Sequence, residues 1–314
     1  MSDNKHPLLV VNEFHPETVA KLDQVYSTHH LWKLGEEEQL ELIKELEGKC
    51  RAVATASWMC RDIIYQLQSL EIIAAFGVGV DAIDFDATAK GNIRVTNTPD
   101  VLNNAVADLA IALMLATTRN LINADKFVRA GQWQDGPLPF GTGLAGKTLG
   151  IAGLGRIGEA IVARALPFGL NIAYHNRNPK DLPYPYYASL EELAAASDIL
   201  LCMLPGDKST DNVINQAVLE RLGESGIFIN VGRGNSVDEQ ALSSGLAAGT
   251  IAGAGLDVYK NEPNVPEAFL DLPNLVLLPH IGSATVETRR AMGDLVVQNL
   301  EAFFANKPLL TEVS

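Results

Sequence analysis

The sequence has few cysteines and no cluster of metal ligands. Its 314 residues contain three cysteines, Cys50, Cys60 and Cys202, and none of them belongs to a CxxC pair. An odd and sparse set of this kind is typical of free thiols in a reducing compartment. We therefore predict neither a disulfide framework nor a metal site.

Long apolar runs and an excess of positive charge are also missing. No apolar run reaches the length of a membrane span. The start, MSDNKHPLLVVNEF, has no long apolar core after a basic segment, so we expect no signal peptide. The formal net charge of −14 disfavours binding to nucleic acid, which is a polyanion. We expect a cytoplasmic protein with no nucleic-acid or membrane partner.

The sequence does contain an alternation of short apolar runs with helical patterns. A chain of this length is too long for a single core to be expected. The runs lack the polar–apolar alternation of half-buried strands, which favours parallel sheets covered on both faces. The pattern predicts two α/β domains. The predicted strands are LLVV, RAVATA, EIIAAF and IRVTNT before residue 100, and TLGIAG, NIAYHN, ILLCML, GIFINVG, IAGAGLDV and NLVLLP after residue 145.

Two longer helices are predicted outside this alternation. Residues 100–131 contain no proline and are at first apolar nearly all round, which predicts one long buried helix that ends at Gly131. The amphipathic segment VETRRAMGDLVVQNLEAFFANKPLL predicts a C-terminal helix that stops at Asn306 and Pro308. We expect this last helix to return to the first domain.

A glycine-rich turn stands between a predicted strand and a predicted helix. Gly153, Gly155 and Gly158 form GxGxxG, after the strand KTLGIAG and before the helix RIGEAIVARALPFG. Such a turn alone is sometimes only a tight connection. In this context it allows the backbone to approach a pyrophosphate while the helix N-terminus presents its N–H groups to the anion. We predict that the turn binds a dinucleotide.

Residues 174–180, YHNRNPK, contain no acid where an NAD-binding fold normally offers one to the ribose. His175, Asn176 and Arg177 stand there instead. Arg177 can make charge-assisted bonds to a phosphate, with Asn176 as a further donor and Lys180 adding charge nearby. The alternative is that Arg177 covers the adenine face or points to solvent. We predict NADP(H) as the preferred cofactor, with NAD used less well.

Three later strand ends carry charged residues. Arg233 follows an apolar strand and lies between two glycines. Asp257 and Glu262 follow the next strand, and His280 follows a third. Ligands of open parallel sheets bind beyond the carboxyl ends of the strands, so these side chains are expected to converge on one crevice. Each alone has an ordinary structural explanation, but together they supply an anion clamp, a proton donor and an orienting carboxylate, as reduction of a 2-keto acid requires.

Six long motifs run through the chain: FGVGVDAIDFDA, VTNTPDVLNNAVADLAIALML, GKTLGIAGLGRIG, INVGRGNSVDEQAL, AGAGLDVYKNEP and LLPHIGSATVETRRAM. In this order they resemble the D-isomer-specific 2-hydroxyacid dehydrogenases, and within that family the glyoxylate/hydroxypyruvate reductases. The resemblance covers essentially the whole chain. It implies NAD(P)-dependent reduction of small anionic 2-keto acids, such as glyoxylate and hydroxypyruvate, to D-2-hydroxy acids.

The resemblance also implies a role for each charged residue. Arg233 binds the substrate carboxylate and the 2-oxo group, and His280 donates the proton to the ketone oxygen. Glu262 hydrogen-bonds the imidazole and favours its protonated form. The backbone amides of Val78 and Gly79 complete the carboxylate site.

For the cofactor, the resemblance implies that Asp257 contacts the nicotinamide carboxamide. Further cofactor contacts are implied at turns and strand ends, by Leu154, Arg156, Ile157, Leu204, Pro205, Thr210, Val231, Gly232 and Gly282.

The implied architecture is two Rossmann-like domains, one flavodoxin-like and one dinucleotide-binding, with parallel sheets and a cleft between them. Residues 100–288 form the dinucleotide-binding domain, inserted in a substrate domain made of residues 1–99 and 289–314. The segment 100–131 then forms part of a homodimer interface. Trp133 and the loop DGPLPFGTG are expected to cover a neighbouring subunit's pocket.

Two alternatives stay open at this point. Reductases of 2-ketogluconate and of aryl-pyruvates have similar motifs, and Trp58 and Met59 either line the substrate pocket or pack in the core. From a different class, the related C-terminal-binding-protein corepressors use the same fold as dinucleotide-responsive modules that bind other proteins.

Overall fold

The computed structural model of the protein describes residues 5–313. Residues 1–4 and residue 314, the outer ends of the predicted substrate domain, lie outside this range. The chain forms two compact units. The first unit runs to Leu102 and resumes at Thr285, and the second unit comprises Asn103–Ala284.

The first unit is built on a sheet of five strands: β1 (Pro7–Val10), β2 (Ser27–His30), β3 (Ala52–Ala56), β4 (Ile72–Phe76) and β5 (Arg94–Thr96). They lie in the order β2-β1-β3-β4-β5, and every neighbouring pair is parallel. All residues of β3 and β4 are buried, which explains why AVATA and IIAAF are continuously apolar. The four predicted strands of this unit are confirmed.

The outer strand β2 is the one that the sequence does not predict. Its residues, STHH, are polar, and none of them is buried. The strand lies at the edge of the sheet and pairs with β1 alone, so its side chains need not be apolar on both faces. Because β2 has no continuous apolar run, the apolar pattern does not predict it.

Three helices of the first unit precede residue 100: α1 (Pro16–Val25), α2 (Glu36–Leu46) and α3 (Phe85–Gly91). Three glutamates in the first turn of α2 and Lys44 in its last turn complement the helix dipole. Asp84 caps α3, because its Oδ1 accepts a hydrogen bond from Ala87 N at 2.9 Å. The core that these helices close over the sheet includes Leu9, Ile43, Val53 and Ile73.

The second unit is built on a sheet of six strands: β6 (Thr148–Ala152), β7 (Asn171–His175), β8 (Ile199–Cys202), β9 (Ile227–Asn230), β10 (Gly253–Leu256) and β11 (Leu275–Leu277). The order is β11-β10-β9-β8-β6-β7, again with parallel neighbours throughout. All six predicted strands are present. The predicted α/β class with two parallel sheets is confirmed.

The winding of the second sheet reverses at β6, which has β7 on one side and β8 on the other. In open α/β sheets, ligands bind beyond the carboxyl ends of the strands at such a switch point. The glycine turn begins at Gly153, directly after β6. The sequence motif and the topology therefore point to the same place.

The helices of the second unit are α4 (Asn103–Thr118), α5 (Leu121–Arg129), α6 (Arg156–Ala165), α7 (Leu190–Ala195), α8 (Gln216–Leu222), α9 (Glu239–Ala248) and α10 (Glu267–Leu270). α4 packs on α6 and on β9, β10 and β11, which explains its apolar sequence.

The single helix predicted over residues 100–131 is wrong, because the chain bends at Asn120. Asn120 has φ +53° and separates α4 from α5, with an angle of 58° between them. Asparagine tolerates this left-handed conformation better than most residues do. Within residues 5–313, no single helix is long and apolar enough to cross a membrane, although α4 and α5 taken together pass on length and composition.

The C-terminal helix α11 spans Val286–Phe304 and belongs to the first unit, where it packs on β4 and α1. Asn306, at φ +53°, follows its end. Its predicted extent is confirmed.

Candidate active site

The predicted site residues of the second unit lie at the carboxyl ends of its six strands. Across the sheet from β11 to β7, the strand ends present in turn His280, Asp257 with Glu262, Arg233, Leu204, the glycine turn, and His175 to Arg177. Five interstrand spacings of about 4.8 Å make this row about 24 Å long. The fold thus brings residues that are far apart in sequence to one edge of the sheet.

The glycine turn has one position where a side chain is excluded and one that is open to its surroundings. Gly153 has φ +95°, and a Cβ there would lie 2.7 Å from Met203 O, so a side chain is excluded. A Cβ on Gly155, in contrast, would meet no atom within 4 Å. α6 begins at the next residue, Arg156, so its first N–H groups border this open space.

The end of β7 braces the turn. Gly153 N donates to His175 O at 2.9 Å. Asn176 Oδ1 accepts from Leu154 N at 2.7 Å, and Asn176 Nδ2 donates to Leu154 O at 3.2 Å. The carboxamide of Asn176, expected from the sequence to reach a phosphate, therefore holds the glycine turn in shape. His175 Nδ1 lies 2.9 Å from Tyr187 O.

Arg177 is the cation of this segment that extends into solvent, with a side chain 78% exposed. Its Nη2 donates to Ser209 Oγ at 3.3 Å and lies 3.9 Å from Asp207 Oδ2. Lys180, expected to add charge here, donates instead to Glu159 Oε1 at 2.8 Å. Asp207 was not predicted, because the loop after β8 brings it in from 30 residues further along the chain.

A polar core residue shapes the arginine turn after β9. Asn230 is fully buried; its Nδ2 donates to Arg233 O at 3.0 Å, and its Oδ1 accepts from Gly232 N at 3.0 Å. Ser236 Oγ also donates to Arg233 O, at 2.7 Å. The guanidinium Nη1 of Arg233 donates to Gly232 O at 3.0 Å. Asn230 was not predicted as a site residue, although an asparagine at the end of the apolar strand IFIN was an available signal.

His280 and Glu262 form a direct pair. His280 Nδ1 lies 2.6 Å from Glu262 Oε2, and Glu262 Oε1 accepts from Tyr259 N at 3.0 Å. Burial raises the pKa of Glu262, but the hydrogen bond and the charge of His280 outweigh it, so this pKa falls below the ordinary glutamate value. Glu262 is therefore an ionised carboxylate that accepts the hydrogen bond from His280 Nδ1.

Asp257 fixes the backbone of the histidine loop. Its Oδ1 accepts from Ile281 N at 2.7 Å, its Oδ2 accepts from Gly282 N at 2.8 Å, and its carbonyl oxygen accepts from His280 N at 2.8 Å. His280 is held at φ +52°, which is unusual for a residue with a side chain. Burial raises the pKa of Asp257, and the two amides counteract this rise. The predicted nicotinamide contact of Asp257 stays a prediction beside this observed positioning role.

The other predicted cofactor residues take up places in the same row. Thr210 Oγ1 donates to Pro205 O at 2.7 Å, which closes the loop after β8. Val231 is buried, and its N donates to Cys202 O at 3.3 Å. Leu204 O would lie 2.9 Å from a Cβ on Gly232, so the loops after β8 and β9 pack closely.

The two predicted substrate residues of the first unit, Val78 and Gly79, follow β4. Asn97 Nδ2 donates to Val78 O at 2.8 Å, and the preceding Gly77 has φ +139° with its N–H donated to Thr98 Oγ1. Among residues 5–313, the N–H groups of Val78 and Gly79 donate to no protein atom. Two adjacent amides of this kind are suited to a carboxylate.

Away from these strand ends, a groove of about 820 Å³ lies at the amino ends of β9, β10 and β11. It is lined in part by α4, α5 and the loop at Phe140. Phe140 is fully exposed, and Trp133 is 69% exposed. Across the described range 5–313, no group of three His, Cys, Asp or Glu side chains is arranged to hold a metal ion.

The class of protein follows from this fold and site. The sequence profile described as "D-isomer specific 2-hydroxyacid dehydrogenase, NAD binding domain" matches residues 111–282, which is more than half of the chain. The chain belongs to the D-isomer-specific 2-hydroxyacid dehydrogenase family, as its motifs predict.

Individual relatives are similar over nearly the whole chain. A hydroxyphenylpyruvate reductase of Plectranthus scutellarioides is 49% identical over 88% of this chain and 87% of its own length. A glyoxylate/hydroxypyruvate reductase of Arabidopsis thaliana is 48% identical over 86% of this chain and 85% of its own. The crystal structure of an NADPH-dependent glyoxylate/hydroxypyruvate reductase from Sinorhizobium meliloti, in complex with NADP and malonate, is 44% identical with a TM-score of 0.92, covering 99% of this chain and 97% of that one.

Proposed function

We propose that this chain is an NADPH-dependent reductase of small 2-oxo acids, with glyoxylate and hydroxypyruvate as substrates. The observation that carries the proposal is the His280–Glu262 pair at 2.6 Å, at strand ends of the sheet whose switch point bears the glycine turn. An imidazole hydrogen-bonded to a carboxylate, at the same edge of the sheet as a dinucleotide turn, is the arrangement that carbonyl reduction needs. The second unit is then the dinucleotide-binding domain, and the first is the substrate domain.

Each side chain has a role in this proposal. When bound, the reduced dinucleotide supplies a hydride to C2 of the oxo acid. His280 gives its proton to the carbonyl oxygen, which becomes the hydroxyl of the product. The proton leaves from Nε2, because Nδ1 faces Glu262.

Arg233 binds the carboxylate and the 2-oxo group with its planar fork, while Asn230 and Ser236 keep its backbone in place. Val78 and Gly79 offer two amides to the carboxylate.

NADP(H) is proposed as the preferred cofactor, with NAD(H) as a weaker one. The open space at Gly155 and the amides of α6 suit a pyrophosphate. Arg177 is the proposed contact for the additional phosphate. Its contact with Asp207 is exposed and 3.9 Å long, and exposed ion pairs contribute only about 0–1 kcal/mol, so a phosphate dianion competes for it. The NADP complex of the Sinorhizobium relative supports this choice.

The names of the relatives support three substrate classes. Glyoxylate/hydroxypyruvate reductases stand among both the similar sequences and the similar structures. Reduction of an aryl-pyruvate is the second candidate, because the 49% identical relative is a hydroxyphenylpyruvate reductase. Reduction of 2-ketogluconate is the third candidate, because a 40% identical relative is the 2-ketogluconate reductase of Gluconobacter oxydans.

A steady-state screen separates these possibilities. NADPH and NADH oxidation would be followed with glyoxylate, hydroxypyruvate, 2-ketogluconate and hydroxyphenylpyruvate. We expect the highest kcat/KM with NADPH and either glyoxylate or hydroxypyruvate. A higher value for hydroxyphenylpyruvate would favour the aryl candidate. No oxidation of either cofactor with any acid would contradict a reductase and favour a corepressor-like module.

A homodimer and a cytoplasmic location complete the proposal. The exposed apolar side chains Phe140, Trp133, Ile122 and Val128 lie on α5 and the loop after it, and a second copy of the chain would bury them. Light scattering on the wild type and on Phe140→Ser tests the dimer, which we expect the substitution to weaken. Three free cysteines fit a reducing compartment, and cell fractionation tests that location.

A further inference from the structure

The first unit contains an arginine that lies over two aromatic rings. Arg289 is in the first turns of α11, and its Cζ lies 5.6 Å from the ring centroid of Trp58 and 5.4 Å from that of Phe76. Trp58 follows β3, and Phe76 is the last residue of β4. The guanidinium therefore lies at the carboxyl ends of the central strands of this sheet.

The same strand end leads into the turn proposed to bind a carboxylate. Phe76 precedes Gly77, and the Cζ3 atom of Trp58 is 3.2 Å from where a Cβ on Gly77 would stand. The free amides of Val78 and Gly79 follow directly. The rings that support Arg289 thus border this turn.

Arg289 has no anionic partner within residues 5–313, and its guanidinium donates no hydrogen bond there. Other arginines of the first unit do have such partners: Arg290 binds Glu17, Arg51 binds Glu71 at 2.6 Å, and Arg94 binds Glu312 at 2.7 Å. Arg289 is also partly buried, and this burial lowers its pKa, although an arginine stays protonated. The two rings compensate part of this desolvation, and the N–H donors of the guanidinium are left available to a ligand oxygen.

We propose that Arg289 is a specificity-determining residue, whose guanidinium donates hydrogen bonds to an oxygen substituent at C3 of the substrate whose carboxylate the Val78–Gly79 amides bind. This inference rests on the proposed reductase function. It selects 2-oxo acids that carry a C3 hydroxyl or carboxylate, such as hydroxypyruvate, over pyruvate, which has a methyl group at that position. Glyoxylate has no C3, so it makes no use of Arg289.

The test compares hydroxypyruvate with pyruvate, which differ by one oxygen atom. Arg289→Met keeps most of the side-chain length and removes the donors. We expect the ratio of kcat/KM for hydroxypyruvate to that for pyruvate to fall about ten- to a hundredfold, the scale of one charged hydrogen bond. The kcat/KM for glyoxylate should stay within about threefold of wild type, as it should if only the C3 contact is lost. The matched control is Arg290→Met, on the same helix, which should leave the ratio unchanged.

A binding measurement separates this inference from the function on which it rests. With the oxidised cofactor bound, hydroxypyruvate cannot be reduced, so calorimetry on that complex gives its Kd without turnover. Weaker binding of hydroxypyruvate, but not of pyruvate, by Arg289→Met supports the assignment even if the wild type were inactive. Equal weakening for both acids, or no change in a folded variant, would overturn it. If Arg289→Met does not fold, Arg289→Leu, which also has no hydrogen-bond donor, is measured in the same way and decides by the same two outcomes.

Discussion

The two sheets of the molecule wind in the same way around their first strand, yet the turns that follow those strands differ. In the second sheet β6 lies between β7 and β8, and in the first sheet β1 lies between β2 and β3. Each sheet therefore has a switch point at the end of its first strand. Only the second has glycines there, in GLGRIG, whereas the first has VNEFHP.

Side chains fill the switch point of the first sheet. Asn12 Oδ1 accepts from Ala56 N at 2.7 Å and ties β1 to β3. Phe14 is buried and stacks on Phe76, with ring centroids 5.2 Å apart. α1 then begins with Pro16, which has no N–H to offer to an anion. A pyrophosphate has neither the space nor the donors that it would find at Gly155.

Strand order therefore locates a crevice, while the residues of the turn decide what can bind in it. The first sheet has no dinucleotide turn after β1, but after β4 the backbone N–H groups of Val78 and Gly79 are suited to binding a carboxylate. Each sheet also has a histidine paired with a carboxylate, and we expect only one of the two pairs to take part in catalysis. His30 Nε2 lies 3.0 Å from Asp23 Oδ1 at the outer strand of the first sheet, and His280 pairs with Glu262 in the second. We expect only the features of the second sheet, the glycine turn and the His280–Glu262 pair, to matter for cofactor binding and catalysis.

The largest effect is expected for the histidines. His280→Gln should lower kcat for ketone reduction by about 10²–10⁴, the usual scale for general acid–base catalysis. The Kd of NADPH should stay within about threefold, because the glycine turn is unaffected. The control His30→Gln removes the first unit's histidine–carboxylate pair and should leave kcat unchanged. A His280→Gln variant with normal kcat, measured where chemistry limits the rate, would show that the pair is structural.

The second test changes the two switch-point turns at equivalent positions. Gly155→Val places a side chain in the open space beside α6 and should weaken NADPH binding by at least about a hundredfold, the loss of several charge-assisted hydrogen bonds. Glu13→Val makes the same change at the third residue after β1 and should leave this Kd unaltered. Fluorescence titration of NADPH measures both. Unchanged binding by Gly155→Val would place the dinucleotide elsewhere.

The strands of both sheets were predictable because burial on two faces demands an apolar run, as in IIAAF of β4 and ILLC of β8. The polar edge strand β2 and the bend at Asn120 were not predictable in this way. The edge strand β2 is not buried on two faces, so it needs no apolar run. The left-handed conformation of Asn120 does not change the apolar pattern of the residues around it, so that pattern does not reveal the bend.

In the site, the residue types were predictable, but their partners were not. The sequence marks Arg177, Asp257 and Asn176 as polar residues at strand ends. It does not show that Asn176 braces Leu154, 22 residues away, or that Asp257 holds Ile281, 24 residues away. These contacts depend on which strand ends become neighbours, and strand order is set by packing of the whole sheet.

The third prediction concerns cofactor choice in the second unit. Arg177→Ala should lower kcat/KM for NADPH by about ten- to a hundredfold, because a charged hydrogen bond to the additional phosphate is lost. NADH should be nearly unaffected. Lys180→Ala is the matched control, since Lys180 follows the same strand but pairs with Glu159. Equal losses with both cofactors, or a wild type that prefers NADH, would remove Arg177 from phosphate recognition.

The smallest effect is a change in pH dependence. The pKa of Glu262 lies below its ordinary value, because His280 outweighs the effect of burial, so its carboxylate stays charged as the pH falls towards that depressed pKa. The charge stabilises the imidazolium that reduction consumes. Protonation of Glu262 removes this charge at low pH, whereas Glu262→Gln has no carboxylate to titrate, so the acid limb that Glu262 contributes to the pH profile of kcat/KM for reduction should be absent in the variant. Glu239→Gln is the control, since Glu239 accepts from Lys260 N at 2.9 Å as another carboxylate of the same strand-end region. The same acid limb in Glu262→Gln as in the wild type would mean that titration of Glu262 does not control reduction, and that this carboxylate only orients the ring.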